Sequence, residues 1–153
     1  MLAIADDNFA RTYRPIFEKN AEYASRFGYA WHVIGTDNQK CAELHSDYFF
    51  RKHCMVADWM ETNLSENDWV IVFDSDVVPY RSEIPLDNWT SYGEDIIMYE
   101  RIWNNEIMAG NYMARNNARV RNFLREWAKY DREMPKVAFS SADNGAIREF
   151  GNC

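Results

Sequence analysis

The feature that most constrains the fold is a continuous apolar run that ends abruptly in acidic residues. Residues 69–73 (Trp-Val-Ile-Val-Phe) are followed directly by Asp74, Ser75 and Asp76. A short, β-branched run of this kind predicts a central strand covered on both faces, which is typical of parallel sheets. It is also the longest apolar run and is far too short to cross a bilayer. We therefore expect no membrane segment in this sequence.

Apolar segments of strand length alternate along the chain with stretches whose apolar residues recur at helical spacing. This alternation predicts an α/β fold with a mostly parallel sheet, in a single domain spanning residues 1–153. Pro15 suits the first turn of a helix and Gly28 the position just past its end. Residues 35–42 are polar and predict a loop. The predicted strands are residues 2–5, 30–34, 69–73, 96–99 and 107–114, and the predicted helices are 13–27, 47–62, 117–130 and one opening at 143.

The charge balance argues against nucleic acid as a partner. The chain has 17 basic and 24 acidic residues, a net charge of −7, and its lysines and arginines form no stripe. Binding to a phosphate backbone needs such a stripe. Anionic small molecules stay compatible with the sequence, because a bound metal ion can locally reverse a negative field. The first residues lack the basic and apolar regions of a signal peptide, so we expect no targeting segment.

The cysteines give a weaker indication. Cys41, Cys54 and Cys153 are widely spaced and odd in number. This pattern indicates neither a zinc cluster nor a dense disulfide framework. A bridge between Cys41 and Cys54 is conceivable, but we expect free buried thiols.

Asp74 and Asp76 are the strongest candidates for chemistry. They are two residues apart at the end of a predicted strand, so if the extended geometry continues through them, their carboxylates project to one side and meet. Open α/β sheets bind ligands at the carboxyl ends of their strands, and paired carboxylates suit Mg²⁺ or Mn²⁺ with positions left for water and diphosphate oxygens. The alternative is a solvated strand-to-turn junction whose aspartates cap backbone amides.

Four motifs occur in order along the chain. They are residues 48–54 (Tyr-Phe-Phe-Arg-Lys-His-Cys), 69–78 (Trp-Val-Ile-Val-Phe-Asp-Ser-Asp-Val-Val), 95–116 and 142–146 (Ala-Asp-Asn-Gly-Ala). They resemble the core of the GT-A glycosyltransferases of the galactosyl-, mannosyl- and xylosyltransferase group and, over residues 3–150, an uncharacterised family of nucleotide-diphospho-sugar transferase-like domains. The resemblance implies a Rossmann-like three-layer sandwich, a nucleotide-diphosphate sugar donor, a hydroxyl acceptor on a glycan or protein, a Mn²⁺ or Mg²⁺ ion, and a location in the Golgi or secretory lumen.

The resemblance assigns the metal and the donor to particular positions. It implies that Asp76 binds the metal directly, and that Asp74 contacts the donor ribose or sugar, or the metal through water. It places Arg51 and Lys52 near the donor, where a guanidinium suits a phosphate fork and an ammonium acts as a point charge. The alternative for this pair is a solvated helix face on which Asp47 pairs with Arg51.

Further positions are implied nearer the transferred sugar. Gly110 and Asn111 correspond to a turn that lets the backbone approach the donor sugar, the alternative being an ordinary bend in a strand. Asp143, with Asn144 beside it, is implied to face the transferred sugar and to act in catalysis; the alternative is that Asp143 caps the last helix. Ser140 and Ser141 are further candidate caps of that helix. The chain's histidines, His53 included, are not expected to be ligands.

Two departures from the family pattern concern histidine. The pattern expects a histidine after Ile147, where this chain has Arg148, and a guanidinium cannot bind metal. Related enzymes also supply a histidine ligand nearer the C terminus, beyond the position of Cys153. We expect either that the chain is truncated at its C terminus, or that metal binding is weak and catalysis impaired.

Two other functions compete with sugar transfer. A hydrophobic strand followed by Asp-Ser-Asp-Val-Val also resembles the nucleophile motif of haloacid-dehalogenase-type phosphatases. That chemistry needs a later lysine and an acidic pair, which the sequence after Asp76 does not offer in a fitting pattern. The second alternative is a non-catalytic remnant that folds and binds a nucleotide or a protein.

Overall fold

The computed structural model describes residues 1–104, 106–133 and 142–150 as a five-stranded sheet with helices on both faces. Among the described helices, none is long and apolar enough to span a bilayer. The strands are β1 (Leu2–Ile4), β2 (His32–Ile34), β3 (Trp69–Phe73), β4 (Ile96–Arg101) and β5 (Glu106–Arg115). The helices are α1 (Asp7–Thr12), α2 (Arg14–Phe27), α3 (Gln39–Leu44), α4 (Tyr48–Asn63), a 3₁₀ helix (Leu86–Tyr92), α5 (Ala118–Glu133) and α6 (Ala142–Phe150).

The sheet is parallel on one side and antiparallel on the other. Its order is β2-β1-β3-β5-β4, and β1 pairs in parallel with both β2 and β3. β5 runs antiparallel to β3 and to β4. The link between β4 and β5 is too short for a crossover helix, so these two strands form a hairpin. The predicted parallel sheet is therefore correct for β1, β2 and β3, while β5 is reversed.

Two apolar layers enclose the sheet because side chains alternate along each strand. On β3, Val70 and Val72 pack into the larger core with α4, α5 and α6. Ile71 and Phe73 face the opposite side, where α2 contributes Tyr23. Ile71 stays partly exposed, so β3 is covered fully on one face and incompletely on the other.

The helix ends follow local signals in the sequence. Gly28 adopts the left-handed conformation, φ 72°, at the end of α2, as expected for a glycine at that position. Asp47 caps α4 by accepting a hydrogen bond from the backbone N–H of Phe49 at 2.8 Å. Asn38 caps α3 in the same way, through the N–H of Cys41 at 2.9 Å. The loop predicted at residues 35–42 is therefore partly helical, and the capping asparagine was the signal for it.

The expectation of free thiols at Cys41 and Cys54 is wrong. The two form a disulfide, with a Cα–Cα distance of 5.8 Å, that joins α3 to α4. The bridge depends on α3, which sets Cys41 against α4 at a distance that a disulfide can span. A loop at this place would give no reason for the two cysteines to meet.

We expect loss of this bridge to lower the free energy of unfolding by about 3 kcal/mol, because it closes a loop of 13 residues' separation in the unfolded chain. Cys41→Ser and Cys54→Ser should shift the urea midpoint equally, and dithiothreitol should shift the wild type to match them. Cys153→Ser is the control, since it removes a cysteine but not the bridge. A wild-type midpoint that dithiothreitol leaves unchanged would contradict the prediction.

Candidate functional site

A cleft of about 480 Å³ opens at the carboxyl ends of the three parallel strands. The chain passes from β1 through α2 to β2 on one face and from β2 through α4 to β3 on the other, so the crevice between β1 and β3 is a topological switch point. Ligands of open α/β sheets bind at such points. The lining residues are Ile4, Ala5, Asp6, Phe9, Thr36, Tyr48, Phe49, Arg51, Lys52, Phe73, Asp74, Ser75 and Asp76.

Two contacts hold Asp74 in the cleft, one to its backbone and one to its carboxylate. Its backbone N–H donates to the side-chain oxygen of Asn111 at 3.0 Å. Its carboxylate Oδ1 lies 3.2 Å from the Lys52 ammonium, and its side chain is 40% exposed. The carboxylate is therefore fixed in direction and still open to the cleft.

Gly110 explains how the Asp74 carboxylate fits against the sheet. The β3–β5 register pairs Val72 with Tyr112, and its continuation sets Gly110 opposite Asp74. A methyl group at Gly110 would lie 1.9 Å from Asp74 Oδ2. Gly110 and Asn111 lie inside β5 and not in a turn, so the turn expected at this position is wrong. Because Gly110 has no Cβ, the Asp74 carboxylate can lie directly against the backbone of β5.

We expect Gly110→Ala to destabilise the protein by roughly 1–3 kcal/mol, because the new methyl displaces Asp74 from Lys52 or pushes β5 away from β3. Urea denaturation measures the change. The control is Gly35→Ala, where a methyl would meet only the exposed Asp37 carboxylate, at 2.7 Å, which can rotate into solvent. If the two variants lost equal stability, the close approach at Gly110 would not be the cause.

Lys52 is a buried cation between two carboxylates. Its side chain is only 6% exposed, and its Nζ lies 3.2 Å from Asp74 Oδ1 and 3.8 Å from Asp143 Oδ2. Burying a lone ammonium is costly, so the two acids are its required partners. The alternative of a solvated helix face is wrong for Lys52, which links the end of β3 to α6.

Arg51 faces the cleft from the same turn of α4. Its guanidinium carbon lies 5.7 Å from the centroid of the Tyr48 ring, a cation–π arrangement. Its Nε is buried and has no hydrogen-bond partner among the residues that the structure describes. The Asp47 carboxylate, the alternative partner from the sequence, caps the helix instead. Arg51 therefore brings a positive charge to the cleft lining.

Asp143 and Asn144 begin α6 below the cleft and have different surroundings. Asp143 contacts Lys52 and His53 through its carboxylate, and both of its partners are buried. Asn144 accepts from the Ala109 N–H at 2.7 Å and donates to Glu106 at 3.1 Å, which ties α6 to β5. Within the described residues the cleft lining includes neither of them. The candidate caps Ser140 and Ser141, and the side chain of Arg148, lie outside the described residues.

Asp76 lies at the rim of the cleft with an exposed side chain. Ser75 between the two acids points inward, and its hydroxyl donates to the carbonyl of Ile4 at 3.1 Å. This hydrogen bond fastens β3 to β1 at the cleft. The backbone turns after Phe73, where the Val77 N–H donates to the Asp74 carbonyl at 3.1 Å, so the extended geometry expected to bring the two carboxylates together is not kept. Both acids still line the cleft, and their oxygens are the hard ligands that Mg²⁺ or Mn²⁺ takes.

His53 is a buried core histidine, as expected, but its hydrogen bonds connect it to the site. Nε2 lies 3.1 Å from Asp143 Oδ2 and Nδ1 lies 3.3 Å from the Tyr112 hydroxyl. Burial lowers the pKa of His53 to about 4, although the hydrogen bond with Asp143 acts in the opposite direction. Its ring is therefore neutral at pH 7.

The cleft contains residues that sequence reasoning missed. Asp6 follows β1 and Thr36 follows β2, at the same edge of the sheet as Asp74. The rule that singled out Asp74, an acid directly after a buried strand, applies equally to Asp6. Phe9 and Tyr48 have no comparable signal, since their place in the cleft depends on how α1 and α4 pack.

The fold is similar to that of an enzyme of known structure. It matches the crystal structure of a glycosyltransferase involved in the glycosylation of the major capsid of PBCV-1, with a TM-score of 0.70 and 18% sequence identity. The match covers 98% of this chain and 76% of that one. At this identity the likeness concerns the fold. A comparison with curated proteins found no match.

The sequence also matches a protein family directly. Residues 21–151 match the family described as a protein of unknown function, DUF273. The match covers most of the chain, from α2 to beyond α6, and includes Asp74, Lys52 and Asp143. The chain therefore belongs to the DUF273 family.

Proposed function

We propose that this protein is a metal-dependent glycosyltransferase of the GT-A type, which moves a sugar from a nucleotide-diphosphate donor to a hydroxyl acceptor. The observation that carries the proposal is the placement of Asp74 and Asp76 at the carboxyl end of β3, in a cleft at the sheet's switch point. The fold similarity to a glycosyltransferase supports it. Asp74 is also held in one orientation by Asn111 and Lys52, as a residue of a preorganised binding site should be.

Asp76 and Asp74 are the residues that would hold the metal ion, Mn²⁺ or Mg²⁺. Asp76 is exposed at the rim and accessible as a direct ligand. Asp74 Oδ1 lies against Lys52 and Oδ2 lies beside Gly110, so Asp74 would support the metal ion either as a ligand or through water. A bound divalent ion would stabilise the charge of the departing nucleotide diphosphate.

The remaining lining of the cleft suits a nucleotide. Phe9, Tyr48 and Phe49 give it aromatic surface, on which a base can stack. Asp6 and Thr36 add polar groups suited to the ribose hydroxyls and the edge of the base. Arg51, whose Nε has no partner among the described residues, is placed for the diphosphate.

The acceptor would approach from the β5 side of the site. A second cavity of about 250 Å³ shares Phe73 with the cleft and includes Asn111, the residue that holds the Asp74 backbone. Trp89 and Tyr99 line it with half-exposed rings, which suit the apolar faces of a glycan. We propose a glycan or protein hydroxyl as the acceptor and no nucleic acid, in keeping with the net charge of −7.

We also propose that the protein acts in the Golgi or another secretory lumen. The disulfide between Cys41 and Cys54 supports this location, because such bridges persist in oxidising compartments and are rare in the cytosol.

The test is a screen of UDP- and GDP-sugars with the whole chain, with and without Mn²⁺, by calorimetry and by release of the nucleotide. We expect one donor to bind and to be hydrolysed slowly only when Mn²⁺ is present. Absence of Mn²⁺-dependent binding of any donor would sink the proposal. Binding without turnover, with and without candidate glycan acceptors, would favour the non-catalytic remnant.

The phosphatase alternative has its own signature in the same assay series. Hydrolysis of p-nitrophenyl phosphate that is lost in Asp74→Asn and kept in Asp143→Asn would favour it. We expect no such hydrolysis from the wild type.

A further inference from the structure

A buried chain of polar side chains runs beneath the cleft and ends on Asp143. The Tyr112 hydroxyl lies 3.3 Å from His53 Nδ1, and His53 Nε2 lies 3.1 Å from Asp143 Oδ2. All three residues are buried, and His53 has no exposed surface. An apolar core needs none of these groups, and every one of them must be hydrogen-bonded to be tolerated there.

The direction of each hydrogen bond follows from the chemistry of the groups. Burial raises the pKa of Tyr112 well above its usual value, so the phenol stays protonated and can donate a hydrogen bond to His53 Nδ1. The neutral imidazole then carries its proton on Nε2, and this N–H donates a hydrogen bond to the Asp143 carboxylate. The opposite tautomer would set the Nε2 lone pair against a carboxylate oxygen. Asp143, which can only accept, therefore selects the Nε2–H tautomer, and the Tyr112 hydroxyl satisfies the remaining lone pair on Nδ1.

The imidazole ring is held in this direction by packing. Trp127 stacks on it, with ring centroids 3.6 Å apart and planes 12° from parallel. The Trp127 indole N–H donates to the backbone carbonyl of Asp143 at 3.1 Å. Trp127, on α5, therefore holds both the His53 ring and the backbone of Asp143.

Lys52 joins this chain to the cleft. Its ammonium lies between Asp143 Oδ2, at 3.8 Å, and Asp74 Oδ1, at 3.2 Å. The direction of the Asp143 carboxylate therefore influences the position of Lys52 and, through it, that of Asp74. His53, which does not line the cleft, can therefore affect the positions of Lys52 and Asp74, which do.

We propose that His53, oriented by Tyr112 and Trp127, is a positioning residue that fixes the Asp143–Lys52–Asp74 array for sugar transfer. This inference rests on the proposed function. His53 acts through Asp143 and Lys52 and touches no part of the donor.

The first test reads the tautomer and needs no activity. Long-range ¹H–¹⁵N NMR of histidine-labelled protein separates protonated from unprotonated ring nitrogens, and the chain has only 3 histidines to assign. We expect His53 to be protonated at Nε2 alone near pH 7, both in the wild type and in Tyr112→Phe, because the Asp143 carboxylate still accepts from Nε2. In Asp143→Asn, whose amide can donate or accept, we expect a mixture of tautomers. A wild-type ring protonated at Nδ1 would overturn the proposal.

The second test separates positioning from mere stability, using the donor and acceptor found by the screen. We expect His53→Leu to lower kcat by about 10- to 100-fold with the KM for the donor nearly unchanged, since Asp143 loses its fixed direction. His53→Gln should recover part of the loss, because its amide can still donate to Asp143. His45→Gln is the control, since His45 is also buried but lies at the end of α3, away from the cleft.

The outcomes are distinguishable. Loss of stability in His53→Leu with an unchanged kcat for the folded fraction would overturn the positioning role and leave the proposed function standing. If His53→Leu does not fold, Tyr112→Phe decides the matter by the same kcat measurement. A wild type that turns over no donor contradicts the proposed function itself, and the positioning role fails with it.

Discussion

Asp74→Asn is expected to abolish most of the activity of this protein and leave its fold in place. The asparagine keeps the shape of the side chain and the backbone hydrogen bond to Asn111, but it loses the negative charge that faces the cleft. A metal ion or a developing charge then has one anionic partner fewer in a partly dehydrated site. Losses of roughly 10²–10³-fold in kcat follow the removal of one such preorganised group.

The measurement is Mn²⁺-dependent nucleotide release at saturating donor, with circular dichroism to show that the variant is folded. Asp68→Asn is the matched control, because Asp68 lies just before the other end of β3 and its carboxylate accepts, from the described part of the chain, a local bond from the Ser65 N–H at 2.9 Å. An Asp74→Asn enzyme with wild-type kcat would remove the basis of the proposed function.

Lys52→Met is expected to lower the free energy of unfolding by about 3 kcal/mol. Methionine fills a similar volume but leaves Asp143, whose side chain is only 6% exposed, without its cation. Asp74 is 40% exposed and recovers part of its solvation, which keeps the expected loss at the lower end for a broken buried pair. Urea denaturation of the two proteins measures the difference.

Lys40→Met provides the comparison for this prediction. Lys40 lies 3.0 Å from the Asp58 carboxylate, closer than Lys52 is to either partner, but its side chain is 64% exposed. Water screens such a pair, so we expect a loss below about 1 kcal/mol. Equal losses in the two variants would show that burial does not determine the strength of the Lys52 contacts.

The parts of the fold that could be predicted from the sequence are those with local causes. The apolar run 69–73 forms β3, Gly28 ends α2, and Asp47 marks the start of α4. Each depends on the residue itself and on its near neighbours in the chain. The reversed β5 was not predicted, because extended residues look alike whichever way the strand runs.

The position of the cleft could be predicted from the sequence, but the contacts inside it could not. The position of Asp74 after a buried strand indicated a ligand-binding edge, and the cleft does lie there. The pairing of Lys52 with Asp74 and Asp143 joins residues far apart in sequence on α4, β3 and α6. No spacing rule predicts which charges a fold will bring together. For the same reason Lys52 was compatible with a solvated helix face, and its burial was not evident.

The contact between Asp74 and Gly110 also bears on how the sheet assembles. Gly110 is the one residue without a Cβ in β5, Glu106–Arg115. A slip of the β3–β5 pairing by one or two residues would set a residue with a Cβ opposite Asp74, and its carboxylate would be driven away from Lys52. A misregistered β3–β5 pair would therefore leave the buried Lys52 ammonium with only one of its two carboxylate partners. The contacts of Asp74 with Gly110 and Lys52 therefore favour both the correct β3–β5 register and the correct arrangement of the cleft.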